Sequence, residues 1–239
     1  MCFVSVIPKA RGFLLGSNRD EHKDRKAAIS PRIFESRQGN LLMPVDGKAG
    51  GTWIGLRQDG VAAVLLNGAF FNHIRRPWYR HSRGIIIPEI LRAANPFKAF
   101  SIYQLDDIEP FTLILVGNAL VEWRWDGEKL HQKQHDLGRP LCWSSATLYN
   151  ESQQGLRENW FMDALRAKTI DDAESLMKWQ STGGLGPKHT DICLEREDGI
   201  GTVSTTIVST VDNKLEMWYE DYLSRGPQVL CLAAPNHCT

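Results

Sequence analysis

Short apolar runs separated by polar turns recur along this chain and predict strands more often than helices. Residues 3–7 and 13–16 flank a turn that contains Pro8 and Gly12, which predicts a β-hairpin with a five-residue loop, 8–12. A second hairpin is predicted over 52–67, where Asp59-Gly60 is the typical signal of a type I′ turn. The N-terminal quarter of the chain is therefore expected to be largely β-structure.

The remaining elements come in blocks and do not alternate strictly as βαβ units. Helices are predicted over 82–94 and 96–105, and a second helical region begins near Leu156. The predicted strands after the hairpins are 111–116, 121–125, 129–135, 191–194, 201–210, 214–219 and 229–232. This order favours an α+β fold, with two mainly antiparallel sheets and helices outside them, in a single domain over residues 1–239.

Composition and charge exclude several classes of protein. The 239 residues are 42% hydrophobic with a formal net charge of zero, so no basic surplus is available for nucleic acid. No apolar stretch has transmembrane length, and the first apolar run lacks the basic lead of a signal peptide. Five widely spaced cysteines form no Cys-x-x-Cys, and no HExxH occurs, which predicts reduced thiols, a cytoplasmic location and no metal site.

Cys2 follows the initiator methionine and opens the first apolar run. Removal of Met1 would leave a thiol and a free α-amine on one residue, so nucleophile and base could come from a single position. If Ile7 pairs with Phe13, antiparallel register sets Cys2 opposite Asn18, with Asp20 on the diagonal. The alternative is that Cys2 merely begins a buried strand.

Strand periodicity sorts the polar residues that end the first hairpin. Asn18 and Asp20 are predicted on one face of the strand and Arg19 on the other. An aspartate beside the α-amine could orient it, and Asn18 can both donate and accept hydrogen bonds. Residues 21–26 are charged and are expected to be a solvated loop.

Asn67 ends the second hairpin, where its amide could donate a hydrogen bond to a developing oxyanion. If Gln58 pairs with Val61, Thr52 faces Asn67; the alternative is an ordinary turn asparagine, favoured by the following Gly68. Ser204 is predicted to share a strand face with Thr206, which could line a site or be exposed to solvent.

Four motifs occur in one order: Met-Cys at 1–2, Asn-Arg-Asp-Glu at 18–21, Gly-Gly-Thr-Trp at 50–53 and Gly-Thr-Val-Ser at 201–204. With them the whole chain resembles the NRDE family, which includes the transport and Golgi organisation type 2 proteins. That family is similar to the N-terminal nucleophile (Ntn) hydrolases, so the resemblance implies a four-layer αββα sandwich. It also implies Cys2 as nucleophile, Asp20 as the aspartate that orients its amine and Asn67 as oxyanion donor.

An asparagine at the oxyanion site of related acylases aligns near Ser145, which the resemblance therefore places at the site. The predicted substrate-binding residues are Asn18, Arg19, Trp53, Ser145 and Ser204. The function expected is a cysteine hydrolase that cleaves an amide or related acyl bond of a small or lipid-like substrate and requires no cofactor. The sequence predicts no oligomeric state.

Family members have also been linked to haem trafficking and to lipid or acyl-CoA metabolism. The alternative function is therefore a carrier of haem or another hydrophobic ligand that keeps the fold without turnover. His22, Cys2 or His189 could bind haem iron, and spacing selects none of them. Aromatic residues that could wall an apolar pocket are Trp53, Phe70, Phe71, Trp78 and Tyr79.

Overall fold

A computed structural model describes residues 3–223 and 225–233 as two antiparallel sheets with helices. The first sheet has six strands in the order β10-β1-β2-β11-β12-β13. Their bounds are β1 Phe3–Pro8, β2 Phe13–His22, β10 Leu141–Ser144, β11 Ile200–Ser209, β12 Leu215–Asp221 and β13 Arg225–Leu232. The central strands β1, β2 and β11 are buried along most of their length.

The second sheet has seven strands in sequential order from β3 to β9. Their bounds are β3 Ile29–Phe34, β4 Leu41–Val45, β5 Ile54–Arg57, β6 Ala62–Asn67, β7 Phe111–Val116, β8 Leu120–Trp125 and β9 Leu130–His135. The helices are α1 Ile86–Leu91, α2 Pro96–Ser101, α3 Glu151–Arg166 and α4 Ala173–Thr182. None of the described helices is both long and apolar enough to cross a membrane.

Three apolar layers hold the sheets and helices together. Val4 and Leu15 of the first sheet pack against Ile54 and Val64 of the second, which forms the core between the sheets. On the outer face of the first sheet, a cluster around Phe161 joins α3 and α4 to the strands. A third cluster covers the outer face of the second sheet with α1 and α2. The predicted four-layer αββα sandwich is confirmed.

Side-chain caps begin both long helices. Asn150 accepts a hydrogen bond from Gln153 N and its own N–H is satisfied by the Gln153 side chain, which is a capping box. Asp172 and Ser175 form the same arrangement at the start of α4. These caps fix where the chain turns from the loops onto the outer face of the first sheet.

The first hairpin has a register that differs by one residue from the prediction. Ile7 pairs with Leu14, not Phe13, and Phe3 is the partner of Asn18. The cause is a tighter turn: Lys9 N donates to Gly12 O, so the loop has four residues rather than five. The predicted pairing of Ile7 with Phe13 is therefore wrong.

The second hairpin is also shifted by one residue. Ile54 pairs with Val64, and Arg57 N donates to Val61 O, so Gln58 does not pair with Val61. Gly60 has a φ of +87° and Asp59 does not share that left-handed conformation. A type I′ turn needs positive φ at both central positions, so this turn is of another kind and the predicted facing of Thr52 and Asn67 is not formed.

Several predicted elements differ in extent. The sequence prediction missed β3, β4 and β10, and residues 191–194 form no strand, although Glu195 makes an isolated bridge to Gly201. The helix predicted over 82–94 is a short 3-10 turn followed by α1. β3 and β10 are edge strands, which depend on partners elsewhere in the chain, and this explains why local pattern did not reveal them.

Candidate active site

The polar strand ends meet at one end of the six-stranded sheet. Strand pairing places Ser144, Phe3, Asn18 and Thr205 side by side across β10, β1, β2 and β11. Cys2 precedes Phe3 in sequence but lies outside the described residues, so its predicted role stays a prediction. The side chains around these four paired residues are described, and they define the chemistry available next to the start of β1.

Asp20 is the buried acid of this region. Its carboxylate is 4% exposed and accepts hydrogen bonds from Thr202 Oγ1 at 2.6 Å and from the Tyr149 hydroxyl at 3.1 Å. A β-bulge between Thr202 and Ser204 shifts the register of β11 opposite β2 at this point. We call Asp20, Tyr149 and Thr202 the Asp20 cluster. A carboxylate fixed in this way can accept a further hydrogen bond from an amine with little reorganisation.

Tyr149 is held by a buried arginine that sequence reasoning did not identify. The guanidinium of Arg157 lies 4.0 Å from the centre of the Tyr149 ring. Arg157 is fully buried and donates to Ser144 Oγ and to the carbonyl oxygens of Thr190 and Asp191. The only sequence signal was a polar residue on the apolar face of a predicted helix. Arg157 thus ties α3 to β10 and to the loop before β11.

Asn18 faces the helices, as does Asp20. Its amide nitrogen donates to the carbonyl oxygens of Gln180 and Ile192, and its side-chain oxygen accepts from Thr205 Oγ1 at 3.0 Å. The predicted separation of Asn18 and Asp20 from Arg19 by strand face is therefore confirmed. These contacts tie β2 to the end of α4 and to the 191–194 loop.

Arg19 lies on the opposite face, between the sheets. Its guanidinium is 4.7 Å from the centre of the Trp53 ring and forms an ion pair with Asp46 at 2.5 Å. Arg25 bonds the same carboxylate at 3.0 Å. Burial opposes ionisation of Asp46, but hydrogen bonds from Arg25 and Ala49 N and the charge of Arg19 outweigh it and lower the Asp46 pKa to about 2. Asp46 was not predicted as part of the site.

Some of the other polar groups on this face have no partner. Ser204 pairs in register with Arg19, and Thr206 pairs with Tyr219. No described residue offers a hydrogen-bond partner to Thr206 Oγ1 or Trp53 Nε1, both of them buried, whereas the Tyr219 hydroxyl interacts with Ser204 and Asp221. We call Arg19, Trp53, Ser204, Thr206 and Tyr219 the inter-sheet cluster. Three of the five predicted substrate-binding residues, Arg19, Trp53 and Ser204, therefore lie together.

The Tyr219 hydroxyl is held protonated by its surroundings. Burial and the nearby Asp221 carboxylate raise its pKa to about 12, although Ser204 and Arg19 act in the opposite direction. A neutral phenol remains a hydrogen-bond donor. The inter-sheet cluster is thus rich in donors.

Asn67 and Ser145 meet where the two sheets approach each other. Ser145 Oγ donates to the Asn67 carbonyl oxygen at 2.8 Å and lies 2.9 Å from Thr147 Oγ1. Gly68 permits this approach, because its φ is +77° and a Cβ there would lie 2.9 Å from Thr147 Cγ2. The side chain of Asn67 is partly exposed at the end of β6. The structure therefore brings these two predicted residues together.

An open cavity of about 690 Å³ lies beside the Asp20 cluster. Phe70, Phe71, Ala146 and Leu148 contribute apolar surface to it, and Tyr149 forms part of its wall. The rest of the lining is polar or charged and consists of Asn72, Thr147 and residues 150–154. Tyr149 therefore connects the cavity to Asp20. The two predicted haem ligands that the structure describes, His22 and His189, do not line it. Among the described residues, no group of His, Cys, Asp and Glu could hold a metal ion.

Solved structures with this fold are amidohydrolases of low sequence identity. An N-acylethanolamine-hydrolyzing acid amidase ortholog from Caenorhabditis elegans is 16% identical, with a TM-score of 0.60 over 96% of this chain and 100% of that chain. A mutant conjugated bile acid hydrolase from Clostridium perfringens is 10% identical, with a TM-score of 0.55 over 95% of this chain and 92% of that one. A second variant of that hydrolase is also 10% identical, with a TM-score of 0.57 over the full length of both chains. The chain shares the Ntn-hydrolase fold.

A search of curated protein sequences gave no match. Residues 1–161 match the sequence profile of the family described as Transport and Golgi organisation 2. This match covers well over half of the chain and includes both hairpins, Asp20 and Asn67. The chain belongs to the Transport and Golgi organisation 2 family.

Proposed function

We propose that this protein is an Ntn-type cysteine hydrolase that cleaves an amide or related acyl bond of a lipid-like substrate, with Cys2 as nucleophile. The observation that carries the proposal is the buried carboxylate of Asp20. It is held by Thr202 and Tyr149 and lies on β2 two residues beyond Asn18, the partner of Phe3. A fixed carboxylate near the start of β1 suits the task of orienting an α-amine.

The reaction uses the two groups that Cys2 carries once Met1 is removed. The α-amine takes the thiol proton while the sulfur attacks the carbonyl carbon, which forms a C–S bond and an oxyanion. Collapse of this intermediate breaks the C–N bond, and the ammonium returns its proton to the leaving nitrogen. Water then cleaves the thioester by the same steps. Asp20 accepts a hydrogen bond from the amine, and the Asn67 amide donates to the oxyanion.

Substrate class follows from the cavity beside Tyr149. Its apolar side, formed by Phe70, Phe71 and Leu148, suits an acyl chain, and its polar side, which includes Glu151, suits a polar group of the substrate. The donors of the inter-sheet cluster, with the predicted residues Arg19, Trp53 and Ser204, suit a polar portion of the substrate. Asn18 supports the site by fixing β2 against α4.

An electrophilic acyl probe tests the nucleophile. Every protein in the experiment carries Cys231→Ala, because that thiol is exposed and would react with the probe by itself. Intact mass first establishes that Met1 is absent, and the probe should then add one acyl group to the protein that retains Cys2 and none to its Cys2→Ala variant. Cys193→Ala is the matched control, because burial and the nearby Asp20 charge raise the pKa of that thiol to about 11. It should label as the Cys231→Ala protein does. Labelling that persists in Cys2→Ala, or that disappears in Cys193→Ala, would contradict the proposal.

Asp20→Asn tests the orienting role separately. The variant keeps the shape of the side chain but loses its charge, so the labelling rate should fall about 100-fold while Cys2 remains present. Thermal unfolding of the same sample shows whether the fold is retained. An unchanged rate in a folded variant would remove Asp20 from the mechanism.

Haem binding, the alternative expectation, has no supporting observation of its own. His22 is half exposed with Asp24 as its partner, and His189 is exposed. Neither offers a buried axial ligand beside an apolar cavity. Haem titration that gives a saturable Soret shift would support the carrier function in place of hydrolysis if acyl probes do not react.

A further inference from the structure

An exposed apolar segment follows β6 and is not part of the proposed chemistry. Phe71, Ile74 and Trp78 lie within eight residues of each other and are 73%, 96% and 64% exposed. The segment that carries them has no helix or strand between Asn67 and Arg83. We call residues 70–80 the apolar loop. Large apolar side chains grouped at such exposure mark an interaction surface.

Two sets of contacts hold the base of the apolar loop against the second sheet. At its start, Arg124 Nη1 donates to the carbonyl oxygen of Ala69 at 2.5 Å. At its end, Arg80 N donates to the carbonyl oxygen of Asp107 at 2.8 Å. Between them, Arg76 N donates to the Tyr79 hydroxyl, which closes a tight turn around Pro77. The exposed side chains therefore stand on a fixed base.

The apolar loop is also basic. Residues 69–88 contain four arginines and no acid. The carboxylates of the described residues that pair with these arginines are Asp107, 3.7 Å from Arg76, and Glu109, which is shared by Arg75 and Arg83. The three arginines that form these pairs outnumber the two acids.

Other acids border the loop from the second sheet. Asp126 and Glu128 line a shallow pocket next to Ile74. Asp126 is already bonded by His131 and by backbone N–H groups of its own turn. The side chains of Arg75 and Arg76 are 78% and 56% exposed, which leaves them accessible to a second source of negative charge.

We propose that the apolar loop docks on a lipid bilayer surface that contains anionic lipid. Trp78 and Ile74 enter the interface, where an indole is favoured, and Arg75 and Arg76 lie against the phosphate and carboxylate groups of the lipids. Phe70 and Phe71 begin the loop and also line the cavity beside Tyr149. Docking would therefore set the mouth of that cavity on the surface that supplies an acyl chain, and this last step rests on the proposed function.

Vesicle sedimentation with full-length protein tests the docking. Wild type should pellet with phosphatidylcholine vesicles that contain phosphatidylserine and bind pure phosphatidylcholine vesicles more weakly. The double variant Ile74→Ser/Trp78→Ser should reduce the bound fraction by about fivefold or more. Ile33→Ser/Ile102→Ser, at two other exposed isoleucines, is the matched control and should bind as wild type does.

Charge is tested with Arg75→Gln/Arg76→Gln, which should remove the preference for phosphatidylserine and its sensitivity to salt. Arg139→Gln/Arg166→Gln is the control, because those arginines are also exposed, at 81% and 73%, and each also pairs with one acid. Trp78→Phe should keep most of the binding but lose most of the blue shift in tryptophan emission on vesicle addition.

Failure of wild type to pellet with anionic vesicles at low salt would overturn the proposal, as would equal binding by the double variant. Light scattering that shows a dimer in wild type and a monomer in the double variant, without vesicle binding, would assign the loop to self-association instead. The Cys2→Ala protein should still bind vesicles. Loss of hydrolysis therefore leaves this result unchanged, and the two proposals fail independently.

Discussion

The two faces of the six-stranded sheet carry polar side chains at the same strand ends but satisfy them differently. On the helix-facing side, both carboxylate oxygens of Asp20 have hydrogen-bond donors, and the unpartnered buried atoms, Arg157 Nη2 and Gln180 Oε1, belong to the helices and not to the strands. On the side facing the second sheet, the strand residue Thr206 has a buried hydroxyl without a partner among the described residues, as does the indole N–H of Trp53. A satisfied buried network stabilises the fold, whereas unpaired donors cost stability and are retained where a ligand or water can use them.

Under the proposed function, this contrast would separate a side that positions the catalytic amine from a side that binds substrate. The Asp20 cluster holds its acid in one orientation, which is what a partner of a catalytic amine needs. In the inter-sheet cluster, the Thr206 hydroxyl and the Trp53 indole N–H have no hydrogen-bond partner among the described residues, and they lie near the contact of Arg19 with Trp53. Substitutions on each face test this difference through their effect on the free energy of unfolding.

Arg157→Ala should have the largest effect on stability. The change removes a fully buried side chain and leaves Ser144 and the carbonyl oxygens of Thr190 and Asp191 without their donor. Unfolding free energy should fall by about 3 to 5 kcal/mol in urea titration. Arg166→Ala, at the exposed end of the same helix, should change it by less than about 0.5 kcal/mol. A small effect at Arg157 would mean that its hydrogen bonds to Ser144, Thr190 and Asp191 contribute little to the stability of the fold.

Thr202→Val and Thr206→Val compare the two faces on one strand. Thr202 donates to a buried carboxylate, so its replacement should cost about 1.5 to 3 kcal/mol of unfolding free energy. Thr206 Oγ1 has no partner among the described residues, so the near-isosteric valine should be neutral or stabilising in the same urea titration. A cost above about 1 kcal/mol at Thr206 would reveal a bound water or ligand on the inter-sheet side.

Acid should weaken the inter-sheet side through Asp46. The folded-state pKa of Asp46 is about 2, below its ordinary value of 3.8, so its ionised form stabilises the fold at higher pH. About 2 kcal/mol of unfolding free energy should be lost as pH falls through the range from about 4 to about 2. Asp46→Asn should remove this part of the pH dependence, while Asp24→Asn, at an exposed carboxylate, should preserve it.

Trp53→Phe should have a smaller effect than Arg157→Ala or Thr202→Val. The indole N–H has no hydrogen-bond partner among the described residues, and a phenyl ring keeps most of the contact with Arg19. The expected loss of unfolding free energy is below about 1.5 kcal/mol. A larger loss of unfolding free energy, in a variant whose packing is otherwise normal, would indicate that the indole N–H has a hydrogen-bond partner in solution.

Local sequence pattern was a good guide to some of these features. Alternation along β2 correctly separated Asn18 and Asp20 from Arg19, because successive strand residues point to opposite faces whatever their partner is. It did not locate the hairpin register, since one residue more or fewer in a turn shifts every pair. Cys2, the central prediction, lies outside the described residues and awaits the labelling experiment.

The sequence by itself determined the alternating strands, the opposite faces of β2 and the motifs that place the chain in its family, since these depend on neighbours within a few residues. Only the tertiary structure decided which hydrogen-bond partner each polar group has. Tyr149 and Thr202 reach Asp20 from 129 and 182 residues away, and the bonds between Ser145 and Asn67 join two different sheets. Such contacts arise from packing of distant elements, which no local periodicity encodes.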